Sequence, residues 1–230
     1  MSNLTIQERD IVIPGESLAE GMDYLPGDNT YRKDEKIFSK VLGLAVLSGR
    51  VIKVTSLSGP YQLKVEDKII GEVIDITMSG WRINTGTAYS AMLNVRDATT
   101  RFIKKEEDLS KIYDIGDYII ADITKVTSQK LVDLSMRAPG LCKIVGGRII
   151  KINCQKVPRV IGKKASMILL IKEHTGCELT VGQNGLVWIK GTPSGELLAE
   201  KAIKQIEEKS HQKGLTNKIE QFLIANKINK

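Results

Sequence analysis

Residues 157–176 read VPRVIGKKASMILLIKEHTG, and the fold of the last third of the chain turns on them. Pro158 suits the first turn of a helix, where its missing N–H is not needed. The run breaks at Gly162-Lys163-Lys164-Ala165 and resumes as a second helix. On that helix Met167, Ile168, Ile171 and Thr175 share one side at helical spacing. Gly176 follows as a C′ stop. The strand GGRIIKIN precedes the helix pair. Two more strands, CELTV and LVWIKG, follow it, joined by Gly182-Gln183-Asn184-Gly185, whose Asn-Gly step signals a hairpin. SGELLAEKAIKQIEEKSHQ then reads as a long helix. Its expected N-cap is Ser194, and its expected buried stripe is Leu197, Leu198, Ala202, Ile203 and Ile206. Residues 138–210 therefore order β-α-α-β-β-α. Residues 211–230 add a short amphipathic helix, with Ile219, Phe222 and Leu223 on one side, that needs a surface to pack on.

Working back along the chain, residues 65–137 hold five strand patterns: KIIGEVIDITM, WRINTG, AYSAMLNV, DYIIADITKV and LVDLSMR. Ser79-Gly80 turns the first into the second. The charged connection RDATTRFIKKEEDLSKIYDIG, expected to contain a helical turn, separates the third from the fourth. Five strands with an insertion at that point is the layout of an OB-type barrel. Residues 1–64 carry short β-branched runs punctuated by Pro14-Gly15, Gly21, Pro26-Gly27 and Gly59-Pro60, which fits a small β barrel or sandwich. The expected fold class is thus multidomain, β-rich plus α/β. It comprises a small N-terminal β domain (1–64), a five-stranded OB-type barrel (65–137), a β-α-α-β-β-α domain (138–210) and a C-terminal helical tail (211–230).

Charge divides along the same lines. The 230 residues carry a net charge of +7, but residues 1–64 are neutral, 65–137 carry −2 and 138–230 carry +9. Lys143, Arg148, Lys151, Lys156, Arg159, Lys163, Lys164 and Lys172 succeed one another with no acidic residue among them. Such a stretch sets up a field that attracts polyanions, although a solvated face or a membrane surface would produce the same tally. Against the membrane, the stretch lacks an amphipathic helix bearing Trp or Phe, and no apolar run approaches the ~18 residues a span requires. The N-terminus lacks the basic-then-apolar layout of a secretory signal, so a cytoplasmic location is expected. Cys142, Cys154 and Cys177 are odd in number and widely spaced, which points to thiols rather than disulfides or a zinc site. His174 and His211 are isolated in sequence. No phosphate-binding loop, dinucleotide fingerprint or paired-carboxylate motif occurs, so no catalytic residue, metal or cofactor is assigned.

The run Val160-Ile161-Gly162-Lys163-Lys164-Ala165-Ser166-Met167-Ile168 resembles the V-I-G-x-x-G-x-x-I signature of the KH RNA-binding module. In that module a glycine-rich turn between two helices clamps about four nucleotides. The resemblance and the charge together mark Arg159, Gly162, Lys163, Lys164 and Ala165 as candidate RNA contacts. The lysines supply cations, and the helix after the turn offers N–H groups and a positive dipole end to phosphate. The fourth loop position is alanine where the signature has glycine. Alanine fits there if its φ is negative, but its methyl sits where a nucleic-acid backbone would pass, so a weaker clamp is expected.

The barrel resembles the RNA-binding OB domain named after ribosomal protein S-one. That family stacks bases on two aromatics of the first hairpin and a histidine of the third strand. Those positions hold Ser79, Arg82 and Asn94 here. Trp81, one residue away, reads either as a stacking platform or as a buried or interface tryptophan. Arg82, Arg96, Arg101, Lys104 and Lys105 are candidate phosphate contacts.

Taken over nearly its whole length, the chain is similar to the RNA-binding cap subunits of the archaeal exosome, orthologs of ribosomal-RNA-processing protein four. Carrying the resemblance are Ile11–Glu16 (IVIPGE), Lys36–Gly43 (KIFSKVLG), the Val160–Ile168 run, and Thr175-Gly176 followed by the G-x-N-G turn at 182–185. The family's Gly-x-Gly-Thr element reads Gly27-Asp28-Asn29-Thr30. The resemblance implies a non-catalytic subunit whose partners are RNA and a ring of RNase PH-type subunits. Three copies would sit on that ring, possibly mixed with the zinc-ribbon cap subunit. The N-terminal domain would dock, and the barrels would surround the entry pore. Gly182, Asn184 and Gly185 would be structural, fixing the KH module against the barrel. A stand-alone RNA-binding factor in translation or messenger metabolism is the alternative. The sister cap subunit and a phosphorolytic nuclease both fit less well, the first because it lacks a KH module and the second because no room exists for its catalytic halves.

Overall fold

A computed structural model describes residues 3–99, 101, 108–212 and 214–226. The chain forms two compact units, Met1–Pro60 and Tyr61–Lys230.

The first unit is all β. Its strands are β1 (Asn3–Leu4), β2 (Ile11–Val12), β3 (Ser17–Glu20), β4 (Leu25–Pro26), β5 (Thr30–Lys33), β6 (Lys36–Ser39), β7 (Gly43–Ser48) and β8 (Val51–Ser56). They make two four-stranded sheets, ordered β1-β3-β6-β5 and β2-β7-β8-β4. Alternation drives the layering: Val12, Leu18, Ile37, Ala45, Ile52 and Val54 turn inward to one core. The Gly27-Asp28-Asn29-Thr30 turn shows why asparagine can stand in for glycine. Asn29 has φ 59°, a left-handed value that asparagine tolerates better than most residues. Its Nδ2 donates to the Val54 carbonyl at 2.8 Å, and Thr30 Oγ1 donates to Gly27 O at 2.9 Å.

The second unit begins with a closed barrel of β9 (Lys68–Thr77), β10 (Gly80–Asn84), β11 (Ser90–Asn94), β12 (Tyr118–Val126) and β13 (Val132–Ser135), ordered β10-β11-β13-β12-β9. The single parallel pair, β11 with β13, closes the cylinder. Closure leaves no open edge and buries Ile69, Val73, Trp81, Ile83, Leu93, Ile119, Ile123 and Leu134 inside. A β-carbon at Gly80 would lie 2.0 Å from the Leu93 carbonyl oxygen, and its φ is 153°, so the β9–β10 turn requires glycine. The long connection opens with the short helix α1 (Val95–Ala98) and rejoins through a 3-10 turn at Leu109–Lys111.

The KH-like part follows as β14 (Arg148–Lys151), α2 (Val157–Ile161), α3 (Ser166–Thr175), β15 (Glu178–Val181), β16 (Leu186–Lys190), α4 (Pro193–Glu208) and α5 (Leu215–Ala225). Its sheet is antiparallel, ordered β14-β16-β15. The helices cover the sheet with one core that includes Val157, Val160, Met167, Ile171, Val187, Ile189, Ala202 and Ile206. The C-terminal helix finds its surface here: Leu215, Ile219 and Leu223 are buried in the same core, with Phe222 packed against it.

Two local expectations need correction. The N-cap of α4 is Thr192, whose Oγ1 accepts from Gly195 N at 3.3 Å, rather than Ser194. Pro193 occupies the first helical turn, which places the cap one residue before it. Leu197 is 47% exposed and does not join the stripe, which runs Leu198, Ala199, Ala202, Ile203, Ile206. The three cysteines form no disulfide: Cys142 is exposed, Cys154 half-buried and Cys177 buried.

Candidate nucleic-acid interface

The loop between α2 and α3 is built by its first residue. Gly162 has φ 76° and ψ 172°, and its N–H donates to Pro158 O at 3.0 Å, ending α2. A β-carbon there would meet Met167 N at 2.7 Å and Met167 Cβ at 2.8 Å. Met167 is itself a core residue, so only glycine lets α3 start this close to the end of α2. Lys163 and Lys164 then stand exposed at the corner. Lys164 (φ 52°, ψ 38°) and Ala165 (φ 62°, ψ 17°) are both left-handed. The condition under which alanine would sit comfortably, a negative φ, is therefore not met. Such a conformation costs a non-glycine residue about 1–2 kcal/mol. α3 starts with no side-chain cap, its Ser166 N–H donating instead to the Lys163 carbonyl, so the positive end of its dipole lies at the loop that carries the lysines.

The acid-free basic stretch does not act as one field. Three of its members are engaged by groups from elsewhere in the chain, two of them by carboxylates. Arg148 Nη1 lies 2.6 Å from Glu200, which also holds Lys204 at 2.6 Å. Lys143 pairs with Asp117, and Lys156 Nζ donates to the Glu207 carbonyl at 2.8 Å. Arg159, Lys163 and Lys164 are exposed, and among the described residues none of them is held in an ion pair. Of the cations in the stretch outside these pairings, Arg159, Lys163 and Lys164 cluster at α2 and the loop, while Lys151 lies on β14 and Lys172 on α3.

Two carboxylates report on this internal pairing. Hydrogen bonds from Lys204 and then Arg148 hold the Glu200 carboxyl below its usual range. Burial pushes Asp117 up, but hydrogen bonds from Lys143 and the Asp114 backbone outweigh it and leave the carboxyl lowered.

On the barrel, Trp81 is not a stacking platform. It is 0% exposed, its ring packs edge-on to Tyr113 at 5.1 Å, and its Nε1 donates to Tyr113 O at 2.9 Å. The period-two pattern of Trp81-Arg82-Ile83-Asn84 carried that signal: Trp81 shares parity with the core residue Ile83. Arg82 points outward from the same strand, 3.8 Å from Asp75, with both side chains about half exposed. Arg101 is exposed, and its N–H donates to Thr99 Oγ1 at 3.1 Å. The Arg96 carbonyl accepts from Arg137 Nε at 2.9 Å. Lys104 and Lys105 lie outside the described residues. The structure therefore brings Arg159, Gly162, Lys163, Lys164 and Ala165 into one corner, with Arg82 and Arg101 on the barrel.

Barrel and KH-like part are joined through the turn at 182–185. Gln183 N donates to Lys68 O at 2.8 Å. Asn184, 8% exposed, donates from Nδ2 to both Ile70 O at 2.7 Å and Thr85 O at 2.9 Å. A β-carbon at Gly182 would lie 2.4 Å from Asn184 Oδ1, and one at Gly185 2.4 Å from Ile152 O. Around this polar tie lies an apolar contact of Ile70, Ile120 and Trp188, with Tyr118, Leu141, Ile144, Ile149 and Leu186 packed against it. Sequence reasoning did not find Trp188, whose Nε1 donates to Gly146 O at 2.8 Å and which cements this joint.

Comparison with known proteins agrees with this architecture. Residues 147–195 match the family model described as KH domain, and residues 11–47 that described as Exosome complex exonuclease RRP4 N-terminal region. The chain is 39% identical over 221 residues to the exosome complex component Rrp4 of Methanothermus fervidus, covering 96% of this chain and 98% of that protein. It is also 39% identical over 229 residues to the Rrp4 component of Pyrococcus furiosus, covering 98% and 86%. A crystal structure described as an exosome complex RNA-binding protein aligns with TM-score 0.66 at 31% identity, covering 73% of this chain and 97% of that one.

Proposed function

This chain belongs to the Rrp4 family of exosome complex components, and we propose that it is a non-catalytic RNA-binding cap subunit of an archaeal exosome. It captures RNA and routes it through a central pore to a phosphorolytic RNase PH-type ring, which degrades it 3′ to 5′. The observation that carries this reading is the corner at Gly162–Ala165. Exposed cations without internal acid partners meet an uncapped helix start there, on a module tied to an OB-type barrel. Such a surface binds phosphates by counterion release and holds them without cutting.

In this reading residues 1–64 dock on the ring and residues 65–137 line the pore entrance. Residues 138–210 form the KH module outside it, and 211–230 close that module. Arg159, Lys163 and Lys164 grip the RNA backbone, Gly162 and Ala165 shape the loop, and Arg82, Arg101, Lys104 and Lys105 contact phosphates on the barrel. Three copies, alone or mixed with the zinc-ribbon cap subunit, multiply weak contacts through effective concentration. The complex works in the cytoplasm. A grip weakened by Ala165 suits threading, since a strand that must move cannot be pinned.

Assembly with an RNase PH-type ring tests this. Phosphate-dependent shortening of RNA is expected only when the ring is present, and it becomes more efficient when this chain is added. Shortening of RNA by the isolated, pure chain would contradict the assignment.

A further inference from the structure

Gripping a single RNA strand takes aromatic faces for bases as well as cations for phosphates. In the second unit nearly every described aromatic is turned inward. Trp81, Tyr113 and Trp188 are buried, while Tyr61, Tyr118 and Phe222 are half-buried against cores. Tyr89 differs: it is 47% exposed and belongs to no core cluster. It ends the loop between β10 and β11, one residue beyond the Asn84–Ser90 pair.

Three hydrogen bonds fix the Tyr89 backbone. Its carbonyl accepts from Thr85 Oγ1 at 2.9 Å and Thr87 Oγ1 at 3.0 Å, and its N–H donates to Thr87 Oγ1 at 3.2 Å. The same loop is tied to the KH-like part, because the Thr85 carbonyl accepts from Asn184 Nδ2. Tyr89 is therefore an exposed ring on a rigid loop, at the end of the barrel that meets the KH-like part. Arg82 and Asn84 lie on the outward face of β10 and lead toward it at ~3.4 Å per residue. With its backbone already fixed, the segment carrying the ring pays little ordering cost when a base stacks on it.

We infer that Tyr89 is a base-stacking platform that receives one base of a single RNA strand passing between the barrel and the Gly162–Ala165 corner. The inference rests on the RNA-binding reading above and adds an aromatic contact to a cationic one.

The test is a fluorescence-anisotropy titration of the full chain with a labelled single-stranded oligoribonucleotide, and with the same oligomer carrying abasic sugars. Tyr89→Ala should weaken binding of the intact oligomer on the order of 5- to 150-fold. Tyr89→Phe should bind like the original, because stacking needs the ring and not the hydroxyl. The abasic oligomer should bind the original chain and Tyr89→Ala alike. Thermal unfolding should be nearly unchanged in both variants, and the Phe and abasic arms report even if the Ala variant folds poorly. If Tyr89→Ala binds normally while Lys163→Glu/Lys164→Glu does not, the stacking role falls and the RNA-binding reading stands. Equal loss on intact and abasic oligomers, or loss of ring assembly with normal RNA binding, overturns it as well. If the original chain binds neither oligomer at low salt, both readings fall.

Discussion

The Asn184 carboxamide donates to the Ile70 carbonyl at 2.7 Å across 114 residues of chain, and through the same nitrogen to Thr85 at 2.9 Å. One buried side chain thereby satisfies two barrel carbonyls and sets where the KH-like part sits on the barrel.

Asn184→Ala would leave both carbonyls buried without those donors. Each such orphan costs about 1–3 kcal/mol, so a loss of roughly 2–4 kcal/mol in denaturant unfolding is expected, allowing for partial relaxation. Asn184→Asp should be no milder, because it removes the donor and adds a buried charge.

Ala165→Gly should relieve the left-handed strain of about 1–2 kcal/mol, partly offset by about 0.5–1 kcal/mol of added unfolded-state freedom. The net expectation is unchanged to slightly higher stability. Because the methyl group also leaves the loop, RNA affinity should rise. Paired thermal melts and anisotropy titrations check both halves.

Trp81→Phe should lower stability and leave RNA affinity unchanged once folded, because the indole lies wholly inside the barrel. Trp81→Ala should lose about 3–5 kcal/mol, from lost packing and an emptied core. Denaturant unfolding and RNA titration on the same preparations separate the two effects.

The Glu200 carboxyl, lowered by Lys204 and Arg148, ties α4 to β14. A carboxyl lowered on folding contributes stability above its unfolded pKa, near 4.3, and loses it as pH falls through the folded value. Its partners are about half exposed, so the contribution is small, about 0.5–1 kcal/mol. Glu200→Gln should be less stable than the original chain at pH 7, and the gap should close in acid. A series of melts across pH 3–7 measures it.

Much of this architecture was legible because it is local. Period-two alternation gave the barrel strands, and Gly162, Gly176 and the Asn184-Gly185 step marked turns that only such residues make easily. The Pro193 signal was present too, and it favours Thr192 over Ser194 as the cap. What escaped depends on distant partners. Nothing near Lys143, Arg148 or Lys156 indicates that Asp117, Glu200 and the Glu207 carbonyl occupy them, so the basic stretch looked uniform. Ala165 escaped for a subtler reason. Its left-handed backbone follows from packing α3 against α2 through Gly162 and Met167, a tertiary constraint that alanine's own preference opposes.

The cationic corner is the centre of the account, and the salt dependence of RNA binding probes it most directly. For a single strand, log affinity against log salt falls with a slope of about −0.7 per phosphate contact. Lys163→Glu/Lys164→Glu should weaken binding at low salt and flatten that slope by about 1.4, without changing the melting temperature. An unchanged slope and affinity in a folded variant would show that RNA does not meet this corner.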